Sequence, residues 1–214
     1  MYYRRLFHLL LSILITACAL PFGGAPLQQL YTTAARKSYE IAQEERTAAT
    51  LALDNRIVLN LADKFTQDSA ISPFDVSPYC YDGRVYLIGE YETVEEWTRA
   101  IEIAARESGV KSITTYILMK EGAPACGLLD NFMIYANVRA KLILDEELRS
   151  TNIDIKAVQC QVVLLGIVAS PEEIDRAVAN AQGVEGVLRV QSFLETSRRA
   201  VADGVPEMRN DMGK

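Results

Sequence analysis

Histidine is almost missing from this chain of 214 residues: His8 is the single copy. It sits within the apolar N-terminal run, so the rest of the chain has no imidazole at all. That excludes Ser-His-Asp and Cys-His catalysis there, together with imidazole acid–base chemistry and histidine metal sites. Cysteine is scarce, with four copies and no CxxC pair, which argues against a zinc or dithiol redox centre. No long Lys/Arg run occurs, and the formal net charge is −6, so the chain is a poor ligand for nucleic acid. No apolar stretch reaches the roughly 20 residues that a spanning helix needs. No nucleophile motif stands out, and the reading is of a chain that is not an enzyme and holds no cofactor and no metal.

What is present begins at the N-terminus. Residues 1–5 (MYYRR) are basic, and residues 6–16 (LFHLLLSILIT) are almost wholly apolar. This pattern reads as a secretory signal peptide over residues 1–17. It ends Ile15-Thr16-Ala17-Cys18, which resembles the bacterial lipobox. The resemblance implies cleavage before Cys18 and acylation of its thiol, with Ala19 matching the outer-membrane sorting pattern. Residues 18–45 then form the lipidated Cys and a tether that opens with two Pro and two Gly.

A repeat organises the remainder. Residues 85–118 and 162–195 align without a gap at an offset of 77, with ten of 34 positions identical, among them Leu87/Leu164, Gly89/Gly166, Glu96/Glu173, Arg99/Arg176 and Gly109/Gly186. That spacing suits a duplicated domain rather than a solenoid unit. In the first copy, Tyr81-Asp82-Gly83 separates two β-rich runs as a hairpin turn. The second copy lacks the turn glycine. Thr93 with Glu96, and Ser170 with Glu173, have capping-box spacing, and Pro171 takes the first helical position. Gly109 and Gly186 are expected to end these helices as left-handed caps. Final strands follow at 112–119 and 187–194.

Upstream of each hairpin lies another amphipathic helix. Leu53, Ile57, Leu61 and Phe65 mark the first; Ile134, Val138 and Leu142 mark the second. The fold class is therefore α/β. Each unit is an α+β sandwich of order helix–strand–strand–helix–strand, with both helices on one side of a three-stranded sheet. Gly89 and Gly166 are expected to let a helix approach the sheet backbone closely. The units span residues 46–120 and 131–195. Residues 121–130 form a linker, and 196–214 a disordered tail.

This order, with V-x-L-x-G, an acidic capped helix and Gly-Val before the last strand, resembles the BON domain of bacterial envelope proteins. Two copies behind a lipobox resemble the dual BON-domain lipoproteins of the outer membrane. The resemblance implies a lipid-anchored, periplasm-facing protein that binds phospholipid, anionic lipid above all, and supports envelope integrity. It places the contact on the first helix of the second domain, here at Phe132, Met133, Tyr135 and Arg139, with the helix N-terminus suited to a phosphate. Acidic neighbours oppose this: residues 131–195 hold six Lys/Arg against nine Asp/Glu. A second reading is a protein-interaction adaptor for an outer-membrane assembly complex, or a homo-oligomer. For Cys80, Cys126 and Cys160, an interdomain disulfide and buried free thiols both stay open; Trp97 reads as a core or interface residue.

Overall fold

A computed structural model describes residues 46–72, 75–120 and 126–197. The chain divides into two compact units, 1–42 and 43–214, and all described residues belong to the second. Cys18, the tether and the tail beyond 197 lie outside them.

Helix α1 spans Ala48–Gln67. Thr47 caps it, its hydroxyl accepting from the Thr50 N–H at 3.2 Å. Its buried line of Ile57, Leu61 and Phe65 repeats every four residues, the spacing that keeps one helix face on a core. Strands β1 (Val76–Tyr81) and β2 (Arg84–Tyr91) form an antiparallel hairpin. Helix α2 (Val94–Ala105) then crosses to β3 (Ser112–Met119), which pairs parallel to β2, so the sheet order is β1-β2-β3. The second copy repeats this with α3 (Leu128–Leu144), β4 (Ile153–Val158), β5 (Gln161–Val168), α4 (Pro171–Gln182) and β6 (Arg189–Thr196), in sheet order β4-β5-β6.

The capping residues do what their spacing requires. Thr93 accepts from the Glu96 N–H at 3.1 Å, and Ser170 from the Glu173 N–H at 3.3 Å. The glutamates reach back one residue further than in the usual box, to the N–H groups of Glu92 and Ala169. Glu96 also accepts from the Ser72 N–H, so its carboxylate is consumed by backbone.

Two glycine expectations are corrected. Helices α2 and α4 end at Ala105 and Gln182, short of Gly109 and Gly186. Those glycines do take positive φ, but in the turn before the last strand, against Ile57 and Ile134 of the first helix of each copy. Gly89 and Gly166 do not admit a helix. They admit the backbone entering the neighbouring strand: a Cβ at Gly89 would lie 1.7 Å from the Asp75 carbonyl oxygen, and one at Gly166 2.0 Å from that of Asn152.

The second hairpin forms without glycine. Gln159 and Cys160 carry φ of 47° and 56°, as Asp82 and Gly83 do at 54° and 78°. Non-glycine residues rarely hold this conformation unaided. Here the Gln159 side chain donates to Glu90 and to the Met119 carbonyl, both at 2.8 Å, and the Cys160 N–H donates to Asn131 Oδ1 at 2.9 Å.

Each sheet is buried on both faces. On one face of the first, Val85 and Leu87 pack with Ile57, Leu61 and Phe65 of α1 and Ala100 and Ala104 of α2. The second copy builds the same core from Val162, Leu164, Ile134, Val138, Leu142, Ala177 and Ala181. The alternate residues Tyr86 and Ile88 of β2 meet Val163, Leu165 and Ile167 of β5, with Tyr81 beside them. The two sheets thus stand back to back, which reading one unit at a time did not reveal. Polar pairs frame the joint: Tyr86 donates to Glu195 at 2.9 Å, Lys156 to Ser77 at 3.0 Å, and Arg84 pairs with Glu195 at 2.6 Å. Tyr81–Asp154 and Tyr116–Gln161 are further hydrogen-bonded pairs.

Burial and the neighbouring Glu195 push the Tyr86 phenol up to about 12, and burial with Asp154 does the same for Tyr79. A folded-state pKa raised above the ordinary 10 stabilises the fold fully below pH 10 and loses that contribution as pH rises from 10 toward 12. Thermal denaturation between pH 8 and 11.5 should therefore show a falling Tm above pH 10. Tyr86→Phe should flatten part of that fall.

Candidate functional site

Helix α3 differs from the other three helices in what it leaves outside. Its core line is Ile134, Val138 and Leu142. The chain enters the helix at Gly127, whose N–H donates to the Asp130 carboxylate at 2.8 Å. That carboxylate lies in the first turn. Its charge there works against a phosphate at the helix N-terminus. The helix also begins at Leu128 rather than near Asn131.

At about 100° per residue, two outer stripes run side by side. One is Leu128, Phe132, Tyr135, Arg139 and Ile143. The other is Leu129, Met133, Ala136, Ala140 and Leu144. Leu128 is 88% exposed and Phe132 62%; Leu129, Met133, Tyr135, Ile143 and Leu144 are exposed as well. About half the circumference of the helix is therefore apolar and uncovered by the described chain, with Arg139 as its one charge. Arg139 donates through one terminal nitrogen to the carbonyls of Ser150 at 3.2 Å and Ile153 at 3.0 Å, and its guanidinium lies 5.9 Å from the Tyr135 ring centroid. It ties α3 to the entry of β4, and these two bonds do not exhaust its five N–H groups.

The first copy supplies an internal contrast. The buried residues of α1 and α3 match at the offset of 77: Ile57 with Ile134, Leu61 with Val138, Phe65 with Leu142. At the outer positions, α1 carries Asn55, Arg56, Asp63, Thr66 and Gln67 where α3 carries Phe132, Met133, Ala140, Ile143 and Leu144. At the other five outer positions α1 carries Leu51, Ala52, Val58, Leu59 and Ala62 opposite Leu128, Leu129, Tyr135, Ala136 and Arg139, so half of the face is polar in one copy where it is apolar in the other. Core packing cannot explain that difference, since the cores match.

Sequence reasoning identified Phe132, Met133, Tyr135 and Arg139, and all four lie on this outer face. It missed Leu128, Leu129, Ile143 and Leu144. Setting the two first helices side by side at the repeat offset finds Ile143 and Leu144, opposite Thr66 and Gln67, whereas Leu128 and Leu129 stand opposite Leu51 and Ala52 and needed the structure.

Cysteine chemistry resolves into a third arrangement beyond the two left open. Cys126 and Cys160 form a disulfide within the second domain, pinning the start of α3 to the β4–β5 turn. Cys80 is a free, buried thiol. Burial and the adjacent Asp54 push its pKa up to about 12, so it stays protonated at neutral pH. Asp54 itself is buried and holds the first hairpin turn, accepting from the Asp82 and Gly83 N–H groups and from Arg46, each at 2.9 Å. Trp97 is half-buried and stacks on Tyr91, with ring centroids 5.8 Å apart.

A cleft of about 390 Å³ between the domains is lined by Arg46, Arg84, Lys111, Asp82 and Glu195, among others. Arg84 pairs there with Glu195, and Lys111 Nζ donates to the backbone carbonyl of Asp82 at 2.7 Å. Among the described residues, no helix is long and apolar enough to cross a membrane.

Fold and site thus define a tandem repeat of a small α+β domain, with one copy bearing a helix whose apolar outer face the other described residues leave exposed. The BON domain profile matches residues 54–121 and 130–198, more than half the chain, and the chain belongs to the BON-domain family. It is similar to the osmotically-inducible protein Y of Escherichia coli (strain K12), at 23% identity over 190 residues, covering 87% of this chain and 94% of that protein. It is also similar to the outer membrane lipoprotein DolP of Haemophilus influenzae, at 21% identity over 159 residues, 73% of this chain and 82% of that one. A 21 kDa hemolysin of Actinobacillus pleuropneumoniae matches at 26% over 148 residues, 69% of this chain and 76% of that protein.

Proposed function

We propose that this chain is an outer-membrane lipoprotein, anchored through acylated Cys18, whose BON domains face the periplasm and dock through α3 onto the phospholipid surface. It works by binding rather than catalysis, and its role is envelope maintenance. The observation that carries the reading is the exposed apolar outer face of α3, which is apolar at five positions where α1 is polar. An exposed, convex apolar face fits a bilayer surface better than a groove-bound ligand. Amphipathic helices bind such interfaces through buried apolar area plus attraction to anionic lipid. Arg139 amid the apolar stripes supplies a cation for anionic headgroups, and the Cys18 motif supports placing the domains beside a membrane. The similarity to an outer membrane lipoprotein agrees with it.

The test is co-sedimentation of residues 43–214, which lack the acyl site, with vesicles of phosphatidylcholine alone or mixed with phosphatidylglycerol. Binding should need the anionic lipid. Phe132→Glu with Met133→Glu should weaken it at least about a hundredfold, since each apolar side chain contributes roughly 1.5–3 kcal/mol on burial. Equal binding of variant and wild type would remove the reading. Absence of binding to either vesicle would turn the face over to a protein partner.

A further inference from the structure

The uncovered apolar surface is not confined to α3. Leu188, in the turn between α4 and β6, is 76% exposed. Its N–H donates to the Cys160 carbonyl at 2.9 Å. Cys160 is in turn bonded to Cys126, two residues before α3, and its own N–H donates to Asn131. Its neighbour Gln159 donates to the carbonyl of Met119, another exposed apolar residue, at the end of β3. One turn therefore gathers the first turn of α3, Leu188 and Met119 at a single end of the domain. The repeat again gives a contrast: where the second copy has Leu188-Arg189, the first has Lys111-Ser112. An exposed leucine beside an exposed arginine is the pairing expected of a bilayer interface, apolar tip inward and cation at the headgroups.

The other end of α3 is different. Ile143 and Leu144 run straight into Asp145, Glu146 and Glu147. Arg176 pairs with Asp145 and Glu147, leaving the exposed Glu146 and a net negative cluster. An anionic surface repels that end; the N-terminal end also holds acids, Asp130 and Glu185, beside Arg189, so what sets it apart is apolar area, with Leu188 and Met119 adding to Leu128 and Leu129.

We infer that the second domain docks end-on, the N-terminal end of α3 entering the bilayer first, with Leu188 and Arg189 as a second membrane contact and the Asp145–Glu147 end held away. This rests on the membrane-docking reading above and specifies its orientation. The Cys126–Cys160 disulfide and the Cys160 hydrogen bonds are what hold the two contacts as one surface.

The experiment compares Leu188→Glu, Leu144→Glu and Phe132→Glu in residues 43–214, a unit that contains both cores and every described strand. The probe is vesicles of phosphatidylglycerol and phosphatidylcholine. Leu144 is 78% exposed, so it matches Leu188 in exposure and differs in position. Leu188→Glu should weaken binding roughly tenfold or more, and Leu144→Glu less than about threefold. Equal losses at 144 and 188 would mean a helix lying flat and would overturn the inference. So would a Leu188→Glu protein that binds like wild type while Phe132→Glu fails, a result that leaves membrane docking itself standing. If Phe132→Glu also binds normally, the docking reading falls and this one with it. Should Leu188→Glu fail to fold, Leu188→Trp in a Trp97→Phe background replaces it. Its emission should shift to the blue on adding vesicles, and an unchanged spectrum would overturn end-on docking.

Discussion

Valine at position 166 should leave the second domain unable to close, lowering stability by on the order of 4 kcal/mol or more. The Cβ would lie 2.0 Å from the Asn152 carbonyl oxygen and 3.1 Å from its carbon, distances no side chain tolerates. Both clashing atoms are backbone, so no rotamer relieves them. Nor can the carbonyl swing away: the Asn152 N–H is bonded to the Arg149 carbonyl at 2.9 Å, and Ile153, next in line, pairs with Gly166 itself in the β4–β5 ladder. Gly166 also holds φ at 144°, a region that L-residues with a Cβ avoid. Gly89 repeats the arrangement against Asp75, whose carbonyl accepts from the Glu90 N–H at 2.9 Å. Alanine carries the same Cβ, so Gly166→Ala should lose most of what Gly166→Val loses, unlike a position where only bulk matters. Thermal denaturation decides the matter. For a domain pair of this size, the loss corresponds to roughly 10 °C or more in Tm. A Gly166→Val protein melting within a degree or two of wild type would mean that β4 does not enter the sheet where the structure places it.

The same pair of glycines marks how far the sequence could be read. Their repetition at an offset of 77 was visible, and so was the strand that each closes. Which backbone they admit was not, because a glycine reports close approach without naming the neighbour. The helices were legible for a physical reason: Ile57, Leu61 and Phe65 recur at the helical period, and Thr93 and Ser170 cap where a cap is needed. The second hairpin turn was hard to see because Gln159 and Cys160 are held at positive φ by tertiary partners, Glu90, Met119 and Asn131. Local sequence carries no trace of those partners. The Cys126–Cys160 pairing was hidden likewise, since it depends on where α3 starts relative to that turn. As for the candidate face, Phe132, Met133, Tyr135 and Arg139 came from family resemblance. Ile143 and Leu144 follow from the contrast between copies, a comparison the sequence contained and that needed the buried register of α1 and α3 to be trusted, while Leu128 and Leu129, opposite Leu51 and Ala52, do not.

The back-to-back sheets lead to the second large effect. Leu164 and Leu165 are adjacent in β5 and both fully buried, yet they face opposite ways, because side chains alternate across a strand. Leu164 packs under α3 and α4; Leu165 packs against the first sheet. An aspartate at either site puts an uncompensated carboxylate into an apolar environment, which costs several kcal/mol. The consequences should nevertheless differ in kind. Leu164→Asp strikes the core of the second domain, so about half the far-UV circular dichroism should be lost while Trp97, in the first domain, reports an intact fold. Leu165→Asp strikes the joint. Both helix–sheet cores keep their own residues, and the carboxylate reaches water if the sheets part. Full circular dichroism should survive, and denaturant unfolding should separate into two transitions, one followed by Trp97 fluorescence and a second by circular dichroism alone. Acid should partly restore the single transition, since a protonated aspartate is far cheaper to bury. If Leu165→Asp instead abolished the second domain as Leu164→Asp does, the joint between the sheets would be part of that domain's folding core, and the second BON domain could not stand without the first.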